Sequence, residues 1–193
     1  MTQFAPNAGL LFADEFQWSL EHYHRMIEAG VLDEDDRIEL LYGKIIKMSP
    51  VGRFHATSVR KINKLLVKRL SDRYTCSQEQ PIAILPRSEP EPDYILATYR
   101  DDDYLNGHPE VNDIHLLIEV SDKTLRKDRE VKMVLYAQAG IKEYWIVNLI
   151  ERQLEIYLNP VPAGTFDDQL IYAEDDAFEH EIVGTLKIRQ LLP

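Results

Sequence analysis

The sequence predicts an α/β protein, an α+β mixed arrangement in which a central β-sheet is flanked by helices. Three observations carry this. The segment IHLLIEV (114–120) is almost continuously apolar, as expected of a central strand. An amphipathic helical stretch follows, from about Leu125 to Ala139, and closes at Gly140. The whole chain reads helix, hairpin, helix, strands, helix, strands, an order that calls for a sheet covered by helices.

Taken in order, residues 15–29 place Phe16, Leu20, Tyr23 and Ile27 on one helical face, with Gly30 as the stop. Residues 33–36 are an acidic turn. RIELLYGKIIKM (37–48) is two strands about a Tyr42-Gly43 turn. Residues 54–71 form a basic amphipathic helix with Val59, Ile62, Leu65, Leu66 and Leu70 on its apolar stripe. Strands are predicted at 74–79, 81–85, 93–98 and 114–120. Ser121 or Asp122 then caps the helix 125–139. Strands at 142–148 and 153–158 follow. The tail yields one or two short strands and a short helix near 185–192. One domain over 1–193 is expected, comprising an N-terminal helix and hairpin (14–48), a core (54–158) and C-terminal strands with a short helix (165–193).

The 193 residues include 33 acidic and 22 basic side chains, a net charge of −11. That balance argues against a protein that coats nucleic acid by charge alone. It is compatible with an enzyme that meets phosphate through a metal ion and a local basic patch. Residues 60–73 are such a patch, with six basic residues against one acid. No apolar run is long enough to span a membrane, and the N-terminus lacks the features of a secretory signal. The single cysteine, Cys76, excludes an intramolecular disulfide and a Cys-rich zinc site, which suits a cytoplasmic location.

Two acids sit where a strand makes them costly. Asp93 opens DYILA after Pro90-Glu91-Pro92, and Glu119 lies near the end of IHLLIEV. If those strands are neighbours, the two carboxylates converge at one sheet edge, a hard oxygen pair suited to Mg2+ or Mn2+. On the following helix, Asp128 and Lys132 are about 40° apart and fall within the apolar stripe that includes Leu125, Val131, Leu135, Tyr136 and Ala139. An acid and a base at this spacing can pair. A lysine on a buried face directed at two carboxylates can also orient or deprotonate a water, or neutralise charge on a phosphate.

Pro92-Asp93, then Glu119-Val120-Ser121, then D-x-x-x-K-x-x-x-Y (Asp128, Lys132, Tyr136) and AGIKEYWIVN together resemble the PD-(D/E)XK nuclease superfamily. More narrowly they resemble the Uma-two family of restriction-endonuclease-like proteins. RIELLYGKIIKMSP and His55 extend the likeness over about residues 14–158. The resemblance implies a restriction-endonuclease-like fold. It also implies a Mg2+- or Mn2+-dependent endonuclease acting on DNA phosphodiester bonds. Asp93, Glu119 and the main-chain carbonyl of Val120 would hold the metal. The superfamily lysine expected two residues after Glu119 is replaced by Ser121; Lys132 is the natural substitute and Lys123 the runner-up.

The remaining candidates each carry an ordinary reading beside the functional one. Glu39 resembles an acid placed near the metal, or is a strand residue facing solvent. Asp128 and Tyr136 would position Lys132. Ser121 is a helix cap rather than a nucleophile. His55 approaches the site or is a surface residue at a helix start. His22 and His24 face different sides of their helix. Tyr144 and Trp145 belong to the core or to an interface, with stacking on DNA the functional alternative. Arg60, Lys61, Lys64 and Lys68 track DNA phosphates or form a solvated face. Apolar edge strands in the last third would favour a homodimer. Two further readings stay open: an inactive nuclease-fold module that binds nucleic acid or a protein partner, and a hydrolase of another phosphodiester such as RNA.

Overall fold

The computed structural model describes residues 15–33 and 36–193. In chain order the elements begin with helix α1 (Leu20–Glu28), the hairpin strands β1 (Ile38–Leu41) and β2 (Lys44–Lys47), and the long helix α2 (Arg53–Leu70). Strands β3 (Tyr74–Gln78), β4 (Tyr94–Thr98) and β5 (Ile114–Ser121) follow. Helix α3 (Leu125–Lys127), a π-helical turn (Asp128–Lys132) and helix α4 (Met133–Ala139) then run on from one another. The chain ends with β6 (Glu143–Asn148), β7 (Gln153–Val161), β8 (Thr165–Ala173), β9 (Ala177–His180), β10 (Gly184–Lys187) and a 3-10 turn (Ile188–Gln190).

Six strands form one sheet in the order β3-β4-β5-β6-β7-β8. Only β5 and β6 are parallel; the other neighbours are antiparallel. A parallel pair needs a crossover, and the helical segment 125–139 supplies it. The pleat sends alternate side chains of each strand to opposite faces. On one face, Leu96, Leu116, Ile118 and Trp145 pack with Val59, Ile62 and Leu66 of α2. On the other, Ile95, Leu117, Tyr144 and Ile146 pack with Leu135 and Tyr136 of α4. Glu119 takes its turn in this alternation on the α4 face.

The Tyr42-Gly43 turn has both central residues at positive φ, 52° and 75°, the geometry a tight two-residue hairpin requires. A Cβ on Gly43 would lie 2.8 Å from Gln17 Cβ, so a larger residue is excluded by space as well. Gly140 closes α4 in the left-handed region at φ 88°.

Several expectations need correction. Residues 81–85 are not a strand: Ala83 and Ile84 make only isolated bridges, to Glu110 and Ser88. Pro81 and Pro86 deny that segment a continuous ladder, although Ile82 and Ile84 are still buried. Helix α1 starts at Leu20, because Ser19 caps it by accepting the N–H of His22 at 3.3 Å; Phe16 lies before it and is 64% exposed. The tail holds a full sixth sheet strand, β8, as well as the β9-β10 hairpin. Neither Ser121 nor Asp122 caps the helix after β5; Ser121 ends the strand and Thr124 precedes α3. The acidic turn 33–36 includes Glu34 and Asp35, which lie outside the described residues.

Candidate active site

The antiparallel register sets Tyr94 opposite Ile118. Asp93, one residue before β4, is thereby brought beside the Glu119-Val120 end of β5. Its Oδ2 accepts the N–H of Val120 at 2.6 Å. In an extended strand the N–H and carbonyl of one residue leave on the same side, so the Val120 carbonyl is also directed towards Asp93. Asp93 Oδ1 lies 3.0 Å from Nε2 of His55, which stands in the first turn of α2.

Glu119 is anchored from the opposite side. Its Oε1 accepts from Lys132 Nζ at 2.7 Å and from the Tyr136 hydroxyl at 2.8 Å. Its Oε2 accepts no hydrogen bond among the described residues. Lys132 also lies 3.5 Å from Oε2 of Glu39, and the Lys127 ammonium pairs with Oε1 of that same buried carboxylate. Asp128 accepts from Ser121 Oγ and Thr124 Oγ1, both at 2.7 Å.

The π turn explains this division. Met133 donates its N–H to the Asp128 carbonyl, five residues back, so one extra residue is accommodated in that turn. Asp128 and Lys132 both stay buried, but Val131, expected on the core stripe, is 38% exposed.

Burial would by itself discharge Lys132. The attraction of Glu119, Glu39, Asp128 and Asp93 outweighs it and holds the ammonium above an ordinary lysine. Burial likewise lifts the Glu119 carboxyl well above the usual carboxylate range; the Lys132 charge opposes this, and Asp93 and Asp128 reinforce it. A carboxylate so placed gains from any further positive charge beside it.

Glu39, His55, Asp93, Glu119, Asp128 and Lys132 line a cleft of about 1010 Å³, which also receives His24, Glu79, Glu91 and Arg60. Among the described residues its wall carries nine carboxylates against four lysine and arginine side chains. A phosphodiester entering it would meet repulsion unless a cation intervened. The oxygens of Asp93, Oε2 of Glu119 and the Val120 carbonyl are a hard donor set that fits a divalent ion.

The sequence candidates thus divide. Asp93, Glu119, Lys132, Glu39, Asp128 and Tyr136 all come together, but neither Asp128 nor Tyr136 hydrogen-bonds Lys132. Tyr136 bonds Glu119, and Asp128 bonds hydroxyls. Ser121 is tied to Asp128 and is fully buried. Lys123 is exposed and does not line the cleft. Glu39 is buried, not solvent-facing, because Lys127 and Lys132 compensate it. Of the basic residues on α2, Arg60 lines the cleft and Lys64 and Lys68 are exposed. Lys61 instead donates to the Leu192 carbonyl at 2.5 Å, which holds the chain end onto α2. Tyr144 and Trp145 are fully buried. Sequence reasoning missed Glu79 and Lys127. Lys127, just before Asp128, carried a faint signal; Glu79 carried none, since it lies in a loop-flanking, exposed position.

The profile of the Uma2 family, described as "Putative restriction endonuclease", matches residues 20–188. The chain belongs to the Uma2 family. The crystal structure of a protein described as a putative nuclease belonging to DUF820, from Anabaena variabilis, resembles it with a TM-score of 0.63 at 15% identity, covering 90% of this chain and 96% of that one. At that identity the likeness is one of fold. It agrees with the mixed sheet expected of a restriction-endonuclease-like Uma2 protein. No curated protein matches the chain. Among the described residues no helix is long and apolar enough to cross a membrane.

Proposed function

We propose that this Uma2 protein is a divalent-metal-dependent endonuclease that hydrolyses DNA phosphodiester bonds. The observation that supports it most is the convergence of Asp93 and Lys132-anchored Glu119 at one edge of the β4-β5 pair, opening on an acidic cleft. Mg2+ or Mn2+ would be held by Asp93, Glu119 and the Val120 carbonyl. Such an ion, when bound, supplies Lewis-acid stabilisation of the developing phosphate charge and a more acidic water.

The chain's own residues do the rest. Lys132 and Tyr136 grip one oxygen of Glu119 and leave the other without a hydrogen bond among the described residues. The Lys132 ammonium, held charged by surrounding carboxylates, is suited to neutralising negative charge. Arg60 at the cleft and Lys64 beyond it on α2 offer cations to a phosphate backbone.

The test is plasmid cleavage with Mn2+ by the wild type, Asp93→Ala and Glu119→Ala. Nicking or linearisation by the wild type, lost in both variants while they remain folded, is the expected result. Full cleavage by either variant would overturn the residue assignment. Mn2+ binding without cleavage of any DNA form would favour the inactive binding module, for which the acidic cleft and Ser121 at the lysine position speak.

A further inference from the structure

We propose that His55, Glu79 and Asp93 together hold a divalent transition-metal ion through one imidazole nitrogen and two carboxylates. The inference deepens the reading above, on which it rests for the use made of the ion, and adds two ligands which that reading lacks.

The spacing brings three ligand atoms close enough for small side-chain movements to complete a coordination shell. One ligand atom from each of the three residues lies within 4.8 Å of the other two. His55 Nε2 and Asp93 Oδ1 are 3.0 Å apart. Ligands about 2.1 Å from an octahedral ion stand about 3 Å apart when adjacent and about 4.2 Å apart when opposite.

Glu79 is placed there at some expense. Its φ is +50°, the left-handed region that a non-glycine side chain enters only when its surroundings impose it. Its N–H donates to the Asp93 carbonyl at 3.2 Å, which fixes the two residues side by side where β3 ends and β4 begins. Its carboxylate reaches the cleft and accepts no hydrogen bond among the described residues.

His55 is aimed at the same spot by packing. Its side chain is only 14% exposed, and its Nδ1 is buried with no partner among the described residues. Buried polar atoms are seldom left so. The ring's direct polar contact among the described residues is with Asp93, and the charges of Glu79 and Asp122 act on it as well. Two carboxylates and a neutral imidazole carry the charge that a divalent cation cancels. The nitrogen also sets the preference: imidazole suits ions such as Co2+ and Ni2+, whereas Mg2+ takes oxygen.

The experiment is calorimetric titration of Co2+ and, separately, Mg2+ into the full chain without DNA, using wild type, His55→Gln, Glu79→Gln and Glu119→Gln, with thermal melting to confirm that each is folded. Wild type should bind Co2+ at least about tenfold more tightly than Mg2+. His55→Gln should lose at least about tenfold in Co2+ affinity and so lose the preference, the scale expected when a ligand or its support is removed. Glu79→Gln, at an exposed position, should weaken both ions. In the wild type, substoichiometric Mn2+ should broaden the His55 ring resonances before those of His24 and His108, which also line the cleft. Co2+ affinity within twofold of wild type in both the His55 and Glu79 variants would overturn the proposal, as would sparing of the His55 resonances. Binding with this pattern but without plasmid cleavage would leave the site standing and remove the nuclease reading.

Discussion

Asp128 and Lys132, four residues apart and both buried, face the same interior and do not pair. Asp128 takes two hydroxyl hydrogen bonds, from Ser121 and Thr124, and Lys132 reaches past it to Glu119 at 2.7 Å. The π turn between them separates the two side chains into different networks. One network locks the helix to the end of β5, and the other holds a carboxylate at the cleft. Expanded turns of this kind are often found at functional sites.

Lys132→Met should destabilise the fold by about 3–5 kcal/mol, because it strands the buried carboxylates of Glu119 and Glu39 without their cation. The double variant Lys132→Met/Glu119→Gln should recover part of that loss. Urea denaturation of the two variants checks this. A double variant no more stable than the single would mean that Glu39 alone carries the penalty.

Tyr136→Phe should cost about 1.5–3 kcal/mol, the range for a hydrogen bond to a charged group, and should leave Mn2+ binding measurable. Ser121→Ala should cost about 1–2 kcal/mol through the lost donor to Asp128. Equal effects of Ser121→Ala and Tyr136→Phe on plasmid cleavage would contradict the separation of the two networks; the Tyr136 change should be the more damaging.

Arg60→Ala and Lys64→Ala should each weaken DNA binding and reduce the salt dependence by about one counterion, with little effect on stability. Lys61→Ala should do the reverse, lowering stability and sparing the salt slope, since its ammonium holds the Leu192 carbonyl. Filter binding across a salt series, beside thermal melts, separates the two.

Glu155 is fully buried and gripped by Arg129, with Asn148, Gln153 and Tyr157 donating to the same carboxylate. Burial raises its proton affinity, but the Arg129 hydrogen bonds and the other three donors outweigh that and hold the carboxyl below its ordinary value. A group depressed on folding contributes stability above its unfolded pKa and loses it as pH falls through the folded one. The contribution should therefore be complete above about pH 4.5 and vanish in more acid solution. Glu155→Gln should melt lower at pH 7 and show a flatter acid limb than wild type. An unchanged acid limb would show that other carboxylates govern it.

Much of the architecture was legible in the residues. Periodicity located the hairpin, α2, β4, β5, the segment 125–139 and β6 to within a residue or two, because burial on one or both faces imposes a repeat that composition reveals. The same logic singled out Asp93, Glu119 and Lys132, since a charge inside an apolar pattern is costly unless it is used or compensated. Where it failed, the deciding force was long-range. The segment 81–85 is apolar enough for a strand, but its prolines leave it only isolated bridges. β8 is mostly exposed and so lacks a burial pattern, and becomes a strand because β7 offers it a ladder.

Read alone, the residues place one carboxylate at the opening of a strand, Asp93, another near the end of a second strand, Glu119, and a lysine on the inward face of the following helix. Tertiary structure alone decided which groups meet. A local repeat says which side a residue faces, but ion pairs are settled by distances across elements far apart in the chain. Hence Lys127 reaches Glu39 across 88 positions, and His55 on α2 and Glu79 after β3 close upon Asp93. Those contacts arise only when α2, the hairpin and the sheet edge are packed together around the cleft.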